Sequence, residues 1–266
     1  MSHHLISGDS FIHNHMDFKE LISIARQAAI KAGEAIIEIY ESGDFSIEAK
    51  SDDSPLTLAD KASHNVIVSF LEKTGLPILS EEGSKIEYDE RKDWEYFWLI
   101  DPLDGTKEFI KKNGEFTVNI ALVNKSKVVA GVVYTPVLKD EFWAIKGEGA
   151  YKNGEQITVN TFKLSDDKLK VVASRSHLND DTQQFMDGLS NPEVVSKGSS
   201  LKLLMVAEGD ADLYPRYAPT MEWDTAAAQI IVEEAGGTVT QKDTSDSVVY
   251  NKENLLNPYF LVSGKI

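Results

Sequence analysis

The apolar run Phe97-Trp98-Leu99-Ile100 passes directly into Asp101-Pro102-Leu103-Asp104-Gly105-Thr106. Such a run reads as a buried strand, so two carboxylates and a hydroxyl leave the interior together where it ends. A hard divalent cation such as Mg²⁺ needs oxygen ligands at fixed spacing, and this segment offers two acids, any inward-pointing carbonyl and the Thr106 hydroxyl. Phosphate-ester hydrolysis is the chemistry that such a set serves. The competing reading is an ordinary turn, because Asp-Pro and Asp-Gly are common turn dipeptides whose side chains satisfy nearby backbone groups.

Elsewhere the chain supplies further acids at element ends. Phe18, Leu21, Ile22, Ala25, Ala28, Ala29, Ala32, Ile36 and Tyr40 recur at helical spacing behind Asp17, a candidate N-cap, and predict a long first helix. Residues 45–49 alternate as a strand does, and Thr57 caps a second helix, running to about Lys73, that carries Asp60 in its first turn. Residues 77–80 read as a short buried strand ending in Glu81-Glu82-Gly83. Strands at 117–123, 127–134 and 141–145 predict an antiparallel meander. From residue 170 the pattern alternates, with strands at 170–173, 193–196, 211–214 and 238–240 and helices at 180–189, 199–208 and 223–235. The predicted organisation is a flexible leader over 1–16, an N-terminal α+β half over 17–160 that binds metal, and a C-terminal α/β half over 161–266, without internal repeats.

A net charge of −16 repels nucleic-acid polymers and anionic membranes and attracts cations, so a small anionic substrate needs metal ions to approach. The complete lack of cysteine removes disulfides, thiolate zinc sites and cysteine nucleophiles, and it suits a reducing cytoplasm. The first residues lack a secretory pattern and no apolar run is long enough to span a bilayer, which predicts a soluble intracellular protein without an integral membrane segment. His3, His4, His13 and His15 crowd the leader without acidic or thiol company and are read as part of a flexible segment rather than as a metal site.

Glu81, the pair Asp101 and Asp104, and Asp224 come from three separate segments, and their convergence is the strong part of the signal. Each candidate has a local alternative. Asp224 opens a helix and can act as its cap, and Asp60 is a first-turn acid favourable to its helix dipole. Ser199 can cap the helix after it, while Lys202 and Arg216 can answer charge on an acidic surface.

Taken together, Ser80-Glu81-Glu82, the segment from Trp98 to Thr106, and Trp223-Asp224-Thr225-Ala226-Ala227 resemble the three signature segments of the lithium-sensitive, Mg²⁺-dependent phosphatases of the inositol monophosphatase superfamily. The likeness runs from about Phe18 to the C-terminus. Lys107-Glu108-Phe109-Ile110, Ser174-Arg175-Ser176-His177, Gly198-Ser199-Ser200-Leu201-Lys202, the segment from Ala207 to Arg216 and Leu256-Asn257-Pro258 are similar to its 3′(2′),5′-bisphosphate nucleotidase branch, of the CysQ type. The resemblance implies a layered αβαβα sandwich of the sugar-phosphatase fold, with a metal cleft between the two halves. It implies two or three Mg²⁺ ions, with Glu81, Asp101 and the Leu103 carbonyl at one and Asp101, Asp104 and Asp224 at a second.

The implied reaction is in-line attack of water on the 3′-phosphate of adenosine 3′,5′-bisphosphate, giving AMP and phosphate; the 5′-phosphosulfate form is a second candidate substrate. Thr106 would orient the water and pair with Asp60 as the base, with Glu81 also positioning that water. The substrate would touch Asp104, Gly105, Thr106 and Asp224, its second phosphate Ser199, Lys202 and Arg216, and its adenine His177. Relatives of the CysQ type also imply a loose association with the inner face of the cytoplasmic membrane, for which no amphipathic anchor is evident. Three rivals stay open: an inositol monophosphatase or fructose-1,6-bisphosphatase of the same fold, a non-catalytic acidic protein that binds divalent cations, and a two-metal nuclease, which the acidic charge disfavours. Oligomeric state is undecided by the sequence.

Overall fold

The computed structural model describes residues 16–43, 45–49, 55–173 and 179–266. The predicted leader, except Met16, lies outside the described residues, as do His177 and its neighbours at 174–178.

In chain order the elements are α1 (Phe18–Ser42), β1 (Glu48–Ala49), β2 (Pro55–Leu56), α2 (Leu58–Leu71), β3 (Ile78–Ser80), α3 (Tyr88–Arg91), β4 (Tyr96–Asp104) and α4 (Thr106–Ile110). The meander follows as β5 (Thr117–Asn124), β6 (Lys127–Thr135), β7 (Asp140–Ile145), β8 (Ala150–Lys152) and β9 (Glu155–Ile157). The remainder comprises β10 (Lys170–Ala173), α5 (Asp180–Asp187), β11 (Glu193–Ser196), α6 (Leu201–Ala207), β12 (Leu213–Arg216), α7 (Glu222–Glu234), β13 (Thr238–Gln241) and β14 (Phe260–Ser263).

The alternation of side chains along two strands fixes the layering. On β4, Trp98 and Ile100 pack with α1 and α2, whereas Phe97 and Leu99 pack with α6 and α7, and all four are buried. Successive strand residues face opposite sides, so this seven-stranded sheet must be covered on both faces. In the five-stranded sheet, Val172 and Tyr214 join the α6–α7 layer while Val171 and Leu213 join Phe162 and Met186 with α5 on the far side. The order is therefore α1 and α2, seven-stranded sheet, α6 and α7, five-stranded sheet, α5: the αβαβα sandwich. Helix α7 sits so close to β6 that a Cβ on Gly131 would lie 2.6 Å from the Ala227 carbonyl oxygen. Only glycine permits that approach.

Differences from the predicted elements have local causes. Strand β4 does not stop before its acids. It runs on through Asp104, and the ladder with β5 pairs Asp101 with Asn119 and Asp104 with Thr117, so three steps on β4 match two on β5. Pro102 has no N–H to offer a ladder, and the surplus residue is accommodated as a β-bulge. The C-terminal sheet is mixed rather than purely parallel, because β14 inserts between β12 and β13, antiparallel to both. Strand β14 is only four residues long, and its place in the sheet is set by its pairing with β12 and β13 rather than by a local pattern. Residues 45–49 contribute only the two-residue strand β1. Among the described residues no helix is long and apolar enough to cross a membrane.

Candidate active site

Asp60 lies at the third position of α2, where its carboxylate serves two purposes. Oδ2 accepts from the Thr57 backbone N–H at 2.7 Å and from the Thr57 hydroxyl at 2.6 Å, closing a capping box, and Oδ1 accepts from the Thr106 hydroxyl at 3.1 Å. The cap reading and the partnership with Thr106 hold together, one on each oxygen. Asp60 is 1% exposed, so both bonds are shielded from solvent. Thr106 reaches Asp60 because Gly105, at φ +99°, turns the chain from β4 into α4; a Cβ there would meet the Glu115 carbonyl oxygen at 3.0 Å. The Thr106 hydroxyl also lies 3.4 Å from the Leu103 carbonyl oxygen.

Three acids meet beside this pair. Glu81, at the end of β3, Asp101, on the bulged part of β4, and Asp224, in the first turn of α7, each place one carboxylate oxygen within 4.8 Å of the others. Burial, followed by the charges of Glu81, Asp104 and Asp224, pushes the Asp101 carboxyl well above its usual range, and in this state it hydrogen-bonds Glu81. Its Oδ1 accepts from the Leu103 N–H at 3.0 Å, which folds the bulge around it. Asp224 is pushed up to about 8 by burial and then by Asp104, against the pull of the Met221 N–H, which donates to its Oδ2 at 2.9 Å. Asp104 is raised to about 6 by burial, held down by the Lys202 charge and by the Ser200 N–H at 2.5 Å. A cluster of hard oxygens that repel one another and hold protons at neutral pH fits a divalent cation, which replaces the protons and removes the repulsion. The residues present therefore suit Mg²⁺.

On its Asp104 and Asp224 side the cluster opens into a cavity of about 340 Å³, which Ser199, Lys202, Tyr214 and Arg216 also line. Lys202 is 9% exposed, donates to the Ser199 carbonyl at 3.0 Å and holds its ammonium 5.8 Å from the Tyr214 ring centroid. Burial lowers it to about 8, against the attraction of Asp104. Arg216 donates through Nη2 to the Pro219 carbonyl at 3.0 Å; its buried Nε makes no aligned hydrogen bond, although the guanidinium favours the ionised form of Tyr214, whose phenol burial pushes up to about 12. The buried Ser199 hydroxyl also lacks a partner among the described residues. Ser199 does not cap α6: Ser200 holds that position, and its side chain makes no capping bond. His177, the candidate adenine contact, lies outside the described residues.

Sequence reasoning missed the support behind Asp104. The Ser200 hydroxyl donates to Asn119 Oδ1 at 2.9 Å and lies 2.7 Å from the Thr117 hydroxyl, and all three side chains are buried. Asn119 is close enough to favour the Asp104 anion, though its Nδ2 makes no aligned hydrogen bond. An asparagine inside the otherwise apolar run 118–123 was the available signal, since a buried amide needs partners.

The inositol monophosphatase family model matches residues 17–262. The 3′(2′),5′-bisphosphate nucleotidase CysQ of Salmonella typhimurium is 44% identical over 244 residues, covering 89% of this chain and 97% of the relative. Its counterpart in Escherichia coli K12 is 42% identical over 244 residues with the same coverage, 89% and 97%. Among solved structures, CysQ from Bacteroides thetaiotaomicron aligns with a TM-score of 0.84 at 45% identity, covering 94% of this chain and 99% of that one. An inositol monophosphatase from Anabaena aligns at 0.74 and 29% identity, covering 93% and 91%.

Proposed function

Since this chain belongs to the inositol monophosphatase family, we propose that it is a 3′(2′),5′-bisphosphate nucleotidase that removes the 3′-phosphate of adenosine 3′,5′-bisphosphate, giving AMP and phosphate. One observation carries the substrate reading: the acid cluster adjoins, through Asp104 and Asp224, a cavity that is also lined by the cations Lys202 and Arg216. A bisphosphate can place one phosphate at the acids and the other at the two cations, whereas an inositol monophosphate leaves them without an anion. Identity of 42–44% to nucleotidases supports the same choice. The 5′-phosphosulfate analogue presents a comparable anion to Lys202 and Arg216 and is included as a candidate substrate.

In the proposed site Glu81, Asp101, Asp104, Asp224 and the Leu103 carbonyl hold Mg²⁺, two or three ions in all. When bound, the cation supplies Lewis acidity toward the phosphoryl oxygens and lowers the pKa of nearby water. The chain's own residues direct the water. Thr106 donates its hydroxyl hydrogen to Asp60 Oδ1, which leaves the Oγ1 lone pairs to accept a hydrogen bond from the attacking water. As water attacks phosphorus, its proton passes to Thr106 Oγ1 while the Thr106 proton passes to Asp60 Oδ1. The bond from phosphorus to the ribose 3′-oxygen breaks, and that oxygen leaves with the electron pair and takes a proton from a solvent water to become the 3′-hydroxyl of AMP. Lys202 and Arg216 hold the remote phosphate so that the reacting one stays in line. A cytoplasmic location, which a cysteine-free chain permits, belongs to the same proposal.

The test is phosphate release from adenosine 3′,5′-bisphosphate, its 5′-phosphosulfate analogue and inositol 1-phosphate, measured side by side with Mg²⁺, with EDTA and with added Li⁺. Preference for the nucleotides, lost in EDTA and reduced by Li⁺, is expected. Preference for the inositol ester would overturn the substrate assignment.

A further inference from the structure

We propose that Asn257 is a positioning residue that fixes the first turn of α7, and through it the Asp224 carboxylate, for cation binding. The proposal rests on the reading of Asp224 as a metal ligand. Residues 249–257 contain no helix or strand, yet they grip the start of α7 along its length. Glu222, 0% exposed, accepts from the Asn251 N–H at 2.6 Å, the Lys252 N–H at 3.0 Å and the Lys252 ammonium at 2.5 Å, while its own N–H donates to the Leu255 carbonyl at 2.9 Å. Two helical turns on, the Tyr250 hydroxyl donates to Gln229 Oε1 at 2.6 Å.

Asn257 closes this brace at the end nearest the site. Its N–H donates to the Thr220 carbonyl at 2.8 Å, and its Nδ2 reaches the Met221 carbonyl at 2.8 Å, the Thr225 hydroxyl at 3.0 Å and the Thr220 hydroxyl at 3.2 Å. Met221 is the residue whose N–H holds Asp224 Oδ2. One side-chain amide thus ties the residue that orients the carboxylate to those on either side of it. The arrangement has a cost: Asn257 is 4% exposed and its Oδ1 has no partner among the described residues. A buried acceptor without a donor is unfavourable, and an apolar side chain of similar size fills such a place without that penalty. A residue selected for packing alone is therefore the wrong choice here; one that must orient a turn is the right one.

The experiment is Mg²⁺ titration calorimetry on the full chain without nucleotide, for wild type, Asn257→Leu, Asp224→Ala and Val239→Ala, the last a buried residue of β13. Asn257→Leu is expected to weaken Mg²⁺ at least tenfold and to lower kcat, with KM for the nucleotide at saturating Mg²⁺ within twofold. Val239→Ala is expected to lower Tm and keep Mg²⁺ affinity. Wild-type affinity in Asn257→Leu, with affinity lost in Asp224→Ala, would overturn the positioning role alone. Retained affinity in Asp224→Ala would overturn the metal-ligand reading and the proposal with it. Equal weakening in Val239→Ala would assign the effect to general instability and overturn it as well. Should Asn257→Leu not fold, Thr220→Val, which removes one acceptor, is expected to weaken Mg²⁺ about threefold, and no change there overturns the proposal.

Discussion

Mg²⁺ binding to this cluster is expected to release protons, and the structure sets the scale. With Asp224 pushed up to about 8, the metal-free site holds a proton there in about nine of ten molecules at pH 7. A cation must displace it, so apparent affinity falls about tenfold for each pH unit below 8. Asp224 alone gives a loss of about 25-fold between about pH 8.5 and about pH 6.5. Asp101, raised well above its usual range, steepens the dependence, and Asp104, at about 6, enters only at the acid end. The same shifts act on folding. Asp224 binds its proton more tightly folded than unfolded, so metal-free stability declines as pH rises from about 4 toward about 8, by up to about 1.4 kcal/mol per unit; Asp104 adds to the decline only up to about pH 6, and Asp101 acts in the same direction. Calorimetry at three pH values, in two buffers of different ionisation enthalpy, counts the protons released. The metal-free protein should unfold at a higher temperature near pH 6 than near pH 8, and saturating Mg²⁺ should reverse that order. Mg²⁺ affinity constant within threefold from pH 6.5 to 8.5, without proton release, would refute the reasoning.

Thr106→Ala is expected to reduce kcat by about 10²-fold or more while leaving Mg²⁺ affinity unchanged, because the hydroxyl serves the water rather than the metal; single-turnover phosphate release checks it, and a loss under threefold argues against the Thr106–Asp60 relay. Lys202→Ala is expected to raise KM for adenosine 3′,5′-bisphosphate by about 10- to 100-fold, the worth of a hydrogen bond to a charged group, and to leave hydrolysis of 3′-AMP nearly unchanged. Comparable losses on both substrates would place Lys202 at the reacting phosphate instead. Gly131→Ala drives a methyl to within 2.6 Å of the Ala227 carbonyl oxygen and is expected to cost about 1–3 kcal/mol, read as a Tm several degrees lower.

The acids were legible because carboxylates at the ends of apolar runs are rare enough to stand out, and the helices because Ala25, Ala28, Ala29 and Ala32 mark one face of α1. The bulge was not, since nothing in Asp101-Pro102-Leu103-Asp104 says whether the strand stops or absorbs a surplus residue. Strand β14 was not legible, although Asn257-Pro258 and Gly264 bound its apolar residues; its place follows from edges that β12 and β13 leave open, which only the fold shows. Asp60 shows why local weighing has limits: a carboxylate has two oxygens, so the helix-cap role at Oδ2 does not compete with the bond from Thr106 at Oδ1 on which the proposed relay rests. Asn257 was visible as a motif without a role, because its three acceptors lie more than thirty residues away in sequence and meet it only in the fold.

The surplus residue in β4 sets the phase of the whole site. Along a regular strand, positions three apart point to opposite faces, so Asp101 and Asp104 would be divided, one toward the α1–α2 layer and the other toward α6–α7. The bulge between them cancels that half-turn, and the charge of each then bears on the other. A single-residue deletion within 102–103 would therefore do more harm than any substitution there. The ladder would become regular, every ligand type would remain in the chain, and the two carboxylates would no longer share a side.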